Sequence, residues 1–311
     1  MTSGWWRISR TYWPPFVRNI TPHDARRLPW RPGRLSFMAL IQVDMSKCDR
    51  DGVCVAVCPL HILVMDPEQG PKVQAGMGQH CIACGHCVAA CPQGALSNVR
   101  NPLARHLPLP KYPVVDADTA YQFLRSRRST RCYRPEAVPR EVLEKLLQII
   151  RYAPSGHNSQ GLACVVVEGP ERLRQVCEVV VGWMRGVITA QPELANMLHL
   201  AAVVGSFEIG IDLLLRGAPH VIFATADKRS RMAQATTYLA LEYLELYATS
   251  LGLGTCWAGY VQMCAMQSPA LAAALQLPDD RTITGAMMVG YPQYTYHRLP
   301  ERDPLPITWL S

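Results

Sequence analysis

Two short runs of cysteine carry the most distinctive chemistry in this sequence. Residues 81–92 read CIACGHCVAACP, in which successive cysteines are separated by two, two and three residues and a proline follows the last. A near copy, CDRDGVCVAVCP, occupies residues 48–59, where Asp51 stands in the place of one cysteine. Thiolates are ligands for soft metal centres, and one tight loop can direct three of them at a single site.

Zinc and iron–sulfur clusters are the two kinds of centre that such cysteines could bind. Structural zinc sites usually combine one Cys-x2-Cys pair with a distant second pair. Three cysteines at two-residue gaps, then a fourth cysteine and a proline, form the pattern of bacterial ferredoxins, in which the fourth cysteine of each run ligates the other run's cluster. Residues 41–100 therefore resemble a two-cluster ferredoxin, and two iron–sulfur clusters are expected.

This resemblance implies a ligand set for each cluster. The first set, a [4Fe–4S] site, consists of Cys58, Cys81, Cys84 and Cys87. The second set consists of Cys48, Cys54, Cys91 and, at the remaining corner, Asp51. Asp51 has three interpretations: it binds iron through oxygen and completes a [4Fe–4S] cluster, it marks a [3Fe–4S] cluster, or it is a surface aspartate without a metal role.

The formal net charge of +7 is carried mainly by the N-terminal segment. Residues 1–37 contain seven arginines and one acid, Asp24, so nucleic-acid binding by the whole chain has little support. This segment has no amphipathic period and no apolar run long enough for a signal peptide or membrane span. It is expected to be a disordered, dispensable tail or the product of a wrongly assigned start codon. A basic arm for a membrane or an acidic partner is the alternative.

The remaining cysteines favour a reducing compartment. Five of the twelve cysteines lie outside the two runs, scattered among apolar residues. Such thiols are usually buried and reduced, and this usage differs from a secreted disulfide framework. A cytoplasmic protein without a membrane span is expected.

The elements that must position these groups divide the chain into two folded units. Residues 38–100 carry the cysteine runs, and residues 101–118 contain four prolines, which favours a stiff linker. In residues 119–311 the apolar patterns predict helices at 119–128, 139–152, 170–184 and 233–251 and strands at 162–169, 220–227 and 282–292. This alternation predicts an α+β unit, a mixed sheet covered by helices.

Two loops of the second unit carry groups suited to an anionic ligand. Residues 127–133, RRSTRCY, cluster guanidinium groups with two hydroxyls, and the arginine fork suits a phosphate. Residues 152–161, YAPSGHNSQG, end a predicted helix with turn-forming, hydrogen-bonding side chains. Either loop alone could be an ordinary solvated loop.

Taken in this order, about 25 residues apart, the two loops resemble the FMN-binding signature of the nitroreductase family. The stretches LGLGTCWAGY at 251–260 and GYPQYTYHRLPERDP at 290–304 extend the resemblance over residues 119–311. It implies a homodimer with two FMN molecules in the subunit interface. The whole chain is similar to a fusion of a ferredoxin with a nitroreductase.

The same resemblance implies which residues contact FMN. Three match the family's loop on the phosphate side, Arg127, Arg128 and Ser129, and Arg131 lies close by in the sequence. Two match basic residues that close over the phosphate near the C-terminus: Arg302 and, less closely, Arg298. Three match the loop that reaches the flavin from the partner subunit: Ser155, Gly156 and Asn158. Two match the stretch whose backbone faces the reactive flavin nitrogen: Gly254 and Thr255.

FMN performs electron or hydride transfer itself, so no separate catalytic side chain is expected. The expected function is an oxidoreductase that passes electrons from the clusters to FMN and on to a small organic acceptor such as a nitro compound, a quinone or an activated alkene. One alternative is an electron-transfer protein that relays through FMN to a protein partner, and another is a sensor that keeps the fold without turnover. The donor is a redox protein or NAD(P)H, which could stack on the flavin without a dinucleotide-binding motif.

Overall fold

The structure is a computed structural model of the protein, and it describes residues 39–109, 112 and 114–310. The predicted tail of residues 1–37 lies outside the described residues, as does part of the proline-rich linker. Below, residues 39–109 are called the N-terminal unit and residues 114–310 the C-terminal unit.

The N-terminal unit is built from two antiparallel strand pairs and two one-turn helices. The strands are β1 (Ile41–Val43), β2 (Leu63–Asp66), β3 (Gly70–Val73) and β4 (Leu96–Asn98). The helices are α1 (Val53–Ala56) and α2 (His86–Ala89). Strand β1 pairs with β4, and β2 pairs with β3. Each cysteine run therefore contains one short helix.

The two cysteine runs share one backbone conformation. Gly52 precedes α1 and Gly85 precedes α2, and both have φ 76° and ψ 0°. This left-handed conformation favours glycine. Since the two runs align residue for residue and share this turn, Asp51 is the equivalent in the first run of Cys84 in the second.

The C-terminal unit combines one sheet with helices on both faces. Its helices are α3 (Ala117–Ser126), α4 (Arg140–Gln148), α5 (Pro170–Ala190), α6 (Pro192–Met197), α7 (Leu200–Glu208), α8 (Ala233–Ser250), α9 (Gly259–Gln267) and α10 (Ala270–Ala274). Its strands are β5 (Ala163–Glu168), β6 (His220–Asp227), β7 (Gly254–Trp257) and β8 (Arg281–Gly290). The order across the sheet is β5-β6-β8-β7.

Strand β6 lies at the centre of this unit and is buried on both faces. Successive side chains of a strand point to opposite faces, so Phe223 packs into the core beside α5 while Ile222 packs into the core beside α8. Both side chains have no exposed surface. The sheet therefore lies between two layers of helices, as the predicted α+β class requires.

The predicted mixed sheet needs correction. All three pairings among β5 to β8 are antiparallel. Within the residues described, parallel pairing is confined to an isolated bridge between Ser129 and Thr255. The helical connections are long enough to return the chain in either direction, so the apolar pattern did not determine strand direction. None of the described helices has both the length and the apolar character needed to cross a membrane.

Candidate cofactor sites

Four cysteines line one cavity in the N-terminal unit. The cysteines are the predicted first set: Cys58, Cys81, Cys84 and Cys87. Most of the other lining is apolar and includes Ile41, Ile62 and Leu63. Burial, and then the neighbouring thiols of the same set, raise the pKa of Cys87 to about 11. Iron must displace that proton, because the thiolate is the metal ligand.

The second predicted set also lies together. Burial is the main reason why the pKa of Cys54 is raised, and the negative charges of Asp51, Cys91 and Cys48 raise it further. Charges shift a pKa in this way only when they are close. Asp51 accepts a hydrogen bond on Oδ1 from the Val53 N–H at 3.0 Å. One carboxylate oxygen of Asp51 thus holds the first turn of α1, and the other makes no hydrogen bond to a described residue.

Hydrogen bonds reach a sulfur of each set. The Ala95 N–H lies 3.3 Å from Cys91 Sγ, and Asn98 Nδ2 lies 3.6 Å from Cys81 Sγ. Such donors favour the thiolate and tune the potential of a cluster. In the described part of the chain, no three His, Cys, Asp or Glu side chains have the arrangement that a single metal ion needs. The four thiols that line the cavity supply the ligand type that an iron–sulfur cluster needs.

In the C-terminal unit the arginine-rich loop lies directly against β7. The Thr130 N–H donates to the Thr255 carbonyl at 2.8 Å. Gly254 permits this approach, because a Cβ atom there would lie only 2.3 Å from Thr130 Oγ1. Strand β7 also pairs with β8 on its other edge. The backbone carbonyl of Thr255 is therefore used in positioning the loop, and both Gly254 and Thr255 are buried.

Arg127 is held at the base of this loop by a buried carboxylate. Its Nη1 lies 3.1 Å from Glu245 Oε1, and Thr255 Oγ1 donates to the same oxygen at 3.1 Å. Burial raises the pKa of Glu245, and the Arg127 charge opposes that change. The other guanidinium nitrogens of Arg127 make no hydrogen bond to a described residue. They can therefore donate to a ligand.

An open cavity lies beside β7 and contains two further arginines. Among its lining residues are Arg131, Arg216, Cys256, Trp257, Gly259 and Tyr260. Neither Arg131 nor Arg216 forms an ion pair with a described carboxylate. Tyr133 Oη is buried without a hydrogen-bond partner in the described residues, and burial raises its pKa while Arg131 and Arg216 oppose that change. The two arginines, beside apolar side chains such as Leu213 and Met263, fit an apolar ring that carries a phosphate, and FMN is such a molecule.

Sequence reasoning predicted only Arg131 among the lining residues of this cavity. Trp257, Gly259 and Tyr260 lie inside the 251–260 stretch that carried the family resemblance. Arg216 has a left-handed backbone, φ 57°, in a turn whose N–H groups donate to the Asp212 carboxylate. No local pattern marks Arg216, because only the tertiary fold brings it beside Arg131.

Arg128 lines a different, open cavity. Its guanidinium lies 5.9 Å from the centre of the Tyr296 ring, within the range of a cation–π contact. Arg298 and Arg302 follow in an exposed segment without helix or strand. Among the described residues, neither side chain forms a hydrogen bond or ion pair with the arginine-rich loop, although Glu301 forms an ion pair with Arg125 at 3.1 Å.

The second predicted flavin loop, residues 155–160, lies elsewhere in the chain. Gly156 packs against Met232 at the start of α8, where an added Cβ would meet Met232 Cγ at 3.0 Å. Glu245, which holds Arg127, is thirteen residues further along α8, or about 20 Å at 1.5 Å per residue. One chain therefore does not bring Ser155, Gly156 and Asn158 together with Arg127.

Two family models match the chain, one in each unit. The 4Fe-4S dicluster domain matches residues 40–92, and the nitroreductase family matches residues 124–291. A Thermus thermophilus NADH dehydrogenase is 32% identical over 203 residues, which are 60% of this chain and 94% of the relative. A nitrobenzene nitroreductase from Ectopseudomonas oleovorans is 28% identical over 221 residues, which are 63% of this chain and 92% of the relative.

Solved structures resemble the C-terminal unit. A crystal structure of a nitroreductase with bound FMN from Bacteroides fragilis has a TM-score of 0.52 and 20% identity. The superposition covers 63% of this chain and all of that one. At this level of identity the likeness establishes the fold of the unit.

Proposed function

The chain belongs to the nitroreductase family and carries a 4Fe-4S dicluster domain ahead of the family domain, and from this premise we propose that electrons pass from the clusters to FMN and on to an organic acceptor. An FMN-dependent oxidoreductase with iron–sulfur centres is the activity that both domains support. One observation carries the proposed path. A cavity lined by four cysteines and a cavity lined by Arg131, Arg216 and apolar side chains occur in the same chain.

The residues around β7 would bind FMN in this proposal. Arg131, Arg216 and the free nitrogens of Arg127 offer donors for the phosphate, and Leu213, Leu214 and Met263 offer an apolar wall for the ring. When bound, FMN supplies the electron or hydride transfer. Glu245 keeps Arg127 in place through the ion pair, and Gly254 lets the loop approach β7. The protein thus contributes binding and orientation.

A homodimer would complete the flavin site. Helix α8 exposes Tyr238, Leu239 and Tyr243, each at least 40% accessible, and the C-terminal segment exposes Trp309 and Leu310 almost fully. Exposed apolar patches of this kind mark interaction surfaces. A second subunit would cover them and would bring its Ser155, Gly156 and Asn158 to the arginine-rich loop. Arg298 and Arg302 lie in the same exposed segment and could close over the phosphate in that assembly.

The acceptor class is a small organic molecule. The nitrobenzene and chloronitrobenzene nitroreductases among the relatives favour a nitroaromatic acceptor, and the NADH dehydrogenase favours NAD(P)H as an alternative donor. The free cysteines support a reducing, cytoplasmic location. Transfer of electrons from FMN to a protein partner is the competing outcome.

The phosphate site can be tested by FMN content. Arg127→Ala is expected to weaken FMN binding by about 1.5–3 kcal/mol, the usual value of a hydrogen bond to a charged group. Arg125→Ala is the matched control, because it removes an exposed arginine two residues away that pairs with Glu301. Equilibrium dialysis of FMN against the deflavinated proteins measures both. Equal FMN affinity in the two variants would overturn the assigned phosphate site.

The electron path can be tested under anaerobic conditions. The holoenzyme is reduced with a reduced ferredoxin, and flavin absorbance is followed before and after nitrobenzene is added. We expect rapid bleaching of the flavin and then reoxidation with stoichiometric loss of nitrobenzene. The double variant Cys84→Ser/Cys87→Ser should bleach slowly. Bleaching as fast as in the wild type would show that the clusters are structural, and reduced flavin that no nitro compound or quinone reoxidises would favour the protein relay.

A further inference from the structure

Two hydrogen bonds join the N-terminal unit to the C-terminal unit at the cysteine-lined cavity. Asn158 Nδ2 donates to the Ile82 carbonyl at 3.1 Å and to the Ala83 carbonyl at 3.2 Å. Ile82 and Ala83 are the two residues between the predicted ligands Cys81 and Cys84. The contact therefore reaches the loop that wraps the first cluster site.

The Asn158 side chain is fixed on both of its polar atoms. Gln160 Nε2 donates to Asn158 Oδ1 at 3.0 Å, which leaves Nδ2 directed at the cluster loop. His157, Asn158 and Gln160 all have left-handed backbones, with φ between 46° and 53°. Such strain at non-glycine residues persists where surrounding contacts enforce it, and it is concentrated at functional sites.

The other cysteine run does not make this contact. Arg50 occupies the position in the first run that Ala83 has in the second, and both have left-handed backbones. Arg50 Nη2 donates instead to the Glu68 carbonyl at 3.1 Å, within the N-terminal unit. The duplicated fold therefore presents only one of its two equivalent turns, among the described residues, to the loop at 155–160.

The position of that loop decides which flavin is nearby. The loop lies at the start of α8, about 20 Å along the helix from Glu245 and its partner Arg127. The flavin phosphate site of the same chain is thus remote from Asn158. In the proposed dimer, the loop at 155–160 completes the site of the other subunit.

We propose that the cluster bound by Cys58, Cys81, Cys84 and Cys87 is the one that reduces FMN, that it serves the FMN whose phosphate is bound by the partner subunit's Arg127, and that Asn158 is the positioning residue of this junction. The inference rests on the proposed function. Each transfer oxidises the cluster by one electron and reduces FMN by one electron. Two transfers, with two protons from water, give the fully reduced flavin. The electrons come from a reduced ferredoxin or another low-potential one-electron donor.

Mixed dimers separate transfer within a subunit from transfer between subunits. One subunit carries Cys84→Ser/Cys87→Ser, the other carries Arg127→Ala, and different affinity tags isolate the mixed dimer. It is expected to hold about one FMN, bound at the intact Arg127 of the subunit whose own first cluster is missing. Stopped-flow absorbance with reduced ferredoxin should show that this FMN is reduced at the wild-type rate. Reduction no faster than in the cysteine-substituted homodimer would overturn the inference.

The reciprocal mixed dimer gives the opposite expectation. One subunit is wild type and the other carries all three substitutions, so the remaining FMN and the remaining first cluster belong to the same subunit. We expect the cluster to be reduced, as seen by EPR, while the flavin stays oxidised on that time scale. Fast flavin reduction here would demonstrate transfer within one subunit. Fast reduction in the cysteine-substituted homodimer, or full FMN in the Arg127→Ala homodimer, would instead overturn the proposed function.

Asn158→Asp tests the junction itself. It keeps the size of the side chain but turns the donor that faces two carbonyls into an acceptor. Cluster-to-flavin transfer, expressed per bound FMN, is expected to slow about tenfold, as the docked arrangement loses the free energy of its hydrogen bonds. A chelator should also remove iron faster from the first cluster, followed by its EPR signal. Arg50→Ala is the control, because it removes the hydrogen bond at the equivalent turn of the other cysteine run. It should alter neither measurement. Unchanged transfer and iron release in Asn158→Asp would rule out the positioning role.

Discussion

The two cysteine runs have one backbone and two different environments. The turn of the second run places Cys84 in a largely apolar cavity and hydrogen-bonds to Asn158 of the other unit. The turn of the first run places an exposed carboxylate, Asp51, at the equivalent position, and Arg50 bonds to an exposed carbonyl of its own unit. The two turns of this duplicated scaffold therefore differ in their surroundings: one contacts the loop at 155–160, and the other carries an exposed carboxylate and hydrogen-bonds within its own unit.

In the proposed function, this difference would give electron transfer through the two clusters a direction. A donor protein approaching from solvent would meet the exposed Asp51 first. The cluster at Cys58, Cys81, Cys84 and Cys87 would then receive the electrons and pass them towards the flavin. The order depends on the contacts of the two turns, since their backbones are the same.

The glycine of each turn offers the strongest way to separate the two runs. Alanine at either position must adopt a left-handed backbone, which costs about 1–2 kcal/mol. At Gly85 the added Cβ would also lie 2.5 Å from Asn101 Nδ2 and 3.0 Å from His106 Cε1, whereas at Gly52 it would meet nothing within 4 Å. Overpacking adds about 1–3 kcal/mol, so Gly85→Ala should destabilise the unit clearly more than Gly52→Ala. Urea unfolding of the two variants measures the difference, and equal losses would contradict it.

Exchanging the unequal ligands should exchange the behaviour of the two centres. A carboxylate is a harder ligand than a thiolate and is expected to hold cluster iron less firmly. Mild oxidation of the wild type should therefore produce a three-iron EPR signal from the Asp51 centre. Asp51→Cys should remove that signal, and Cys84→Asp should create one at the other centre. Two equally robust four-iron clusters in the wild-type protein would show that Asp51 does not determine this difference.

The cysteine sites could be predicted from sequence because nearly all of their information is local. Each run has four ligand positions within eleven residues, and the resemblance to ferredoxins implies that the fourth serves the other run's cluster. The proposed flavin site could be predicted only in part. Arg131 belongs to a recognisable loop, but Arg216 reaches the same cavity through tertiary structure alone. Strand directions and the Asn158 contact depend on how distant segments pack, and no local pattern contains that information.

The hydrogen bond from Asn98 to Cys81 should distinguish the potentials of the two clusters. A donor to sulfur stabilises the reduced, more negative cluster, so Asn98→Ala is expected to lower the potential of the first cluster. The second set should be unaffected, because no hydrogen bond links Asn98 to any of its sulfurs in the described residues. An EPR-monitored redox titration resolves the two centres. Equal shifts at both would indicate a general rearrangement of the unit.

Loss of iron at low pH is a last way to compare the two cysteine runs. It requires that the C-terminal unit stays folded at that pH. His220 is 1% exposed, and its Nε2 accepts a hydrogen bond from the Val138 N–H at 2.8 Å. Burial is the main cause that lowers its pKa below the usual 6.5. Between the lowered pKa of the folded state and the usual 6.5, the unfolded chain binds the proton more readily than the folded chain. The contribution of neutral His220 to the free energy of unfolding should therefore be fully present above about pH 6.5 and should decline below it.

His220→Gln keeps an acceptor for Val138 but does not titrate. Between pH 6.5 and 5 the melting temperature of the variant should therefore fall less than that of the wild type. Above pH 7 the two proteins should respond to pH alike. In the His220→Gln variant, acid-driven loss of iron can be compared between the two cysteine runs with less unfolding of the C-terminal unit. Differential scanning fluorimetry across this pH range measures the effect. Parallel pH profiles of wild type and variant would show that His220 is not the titrating group.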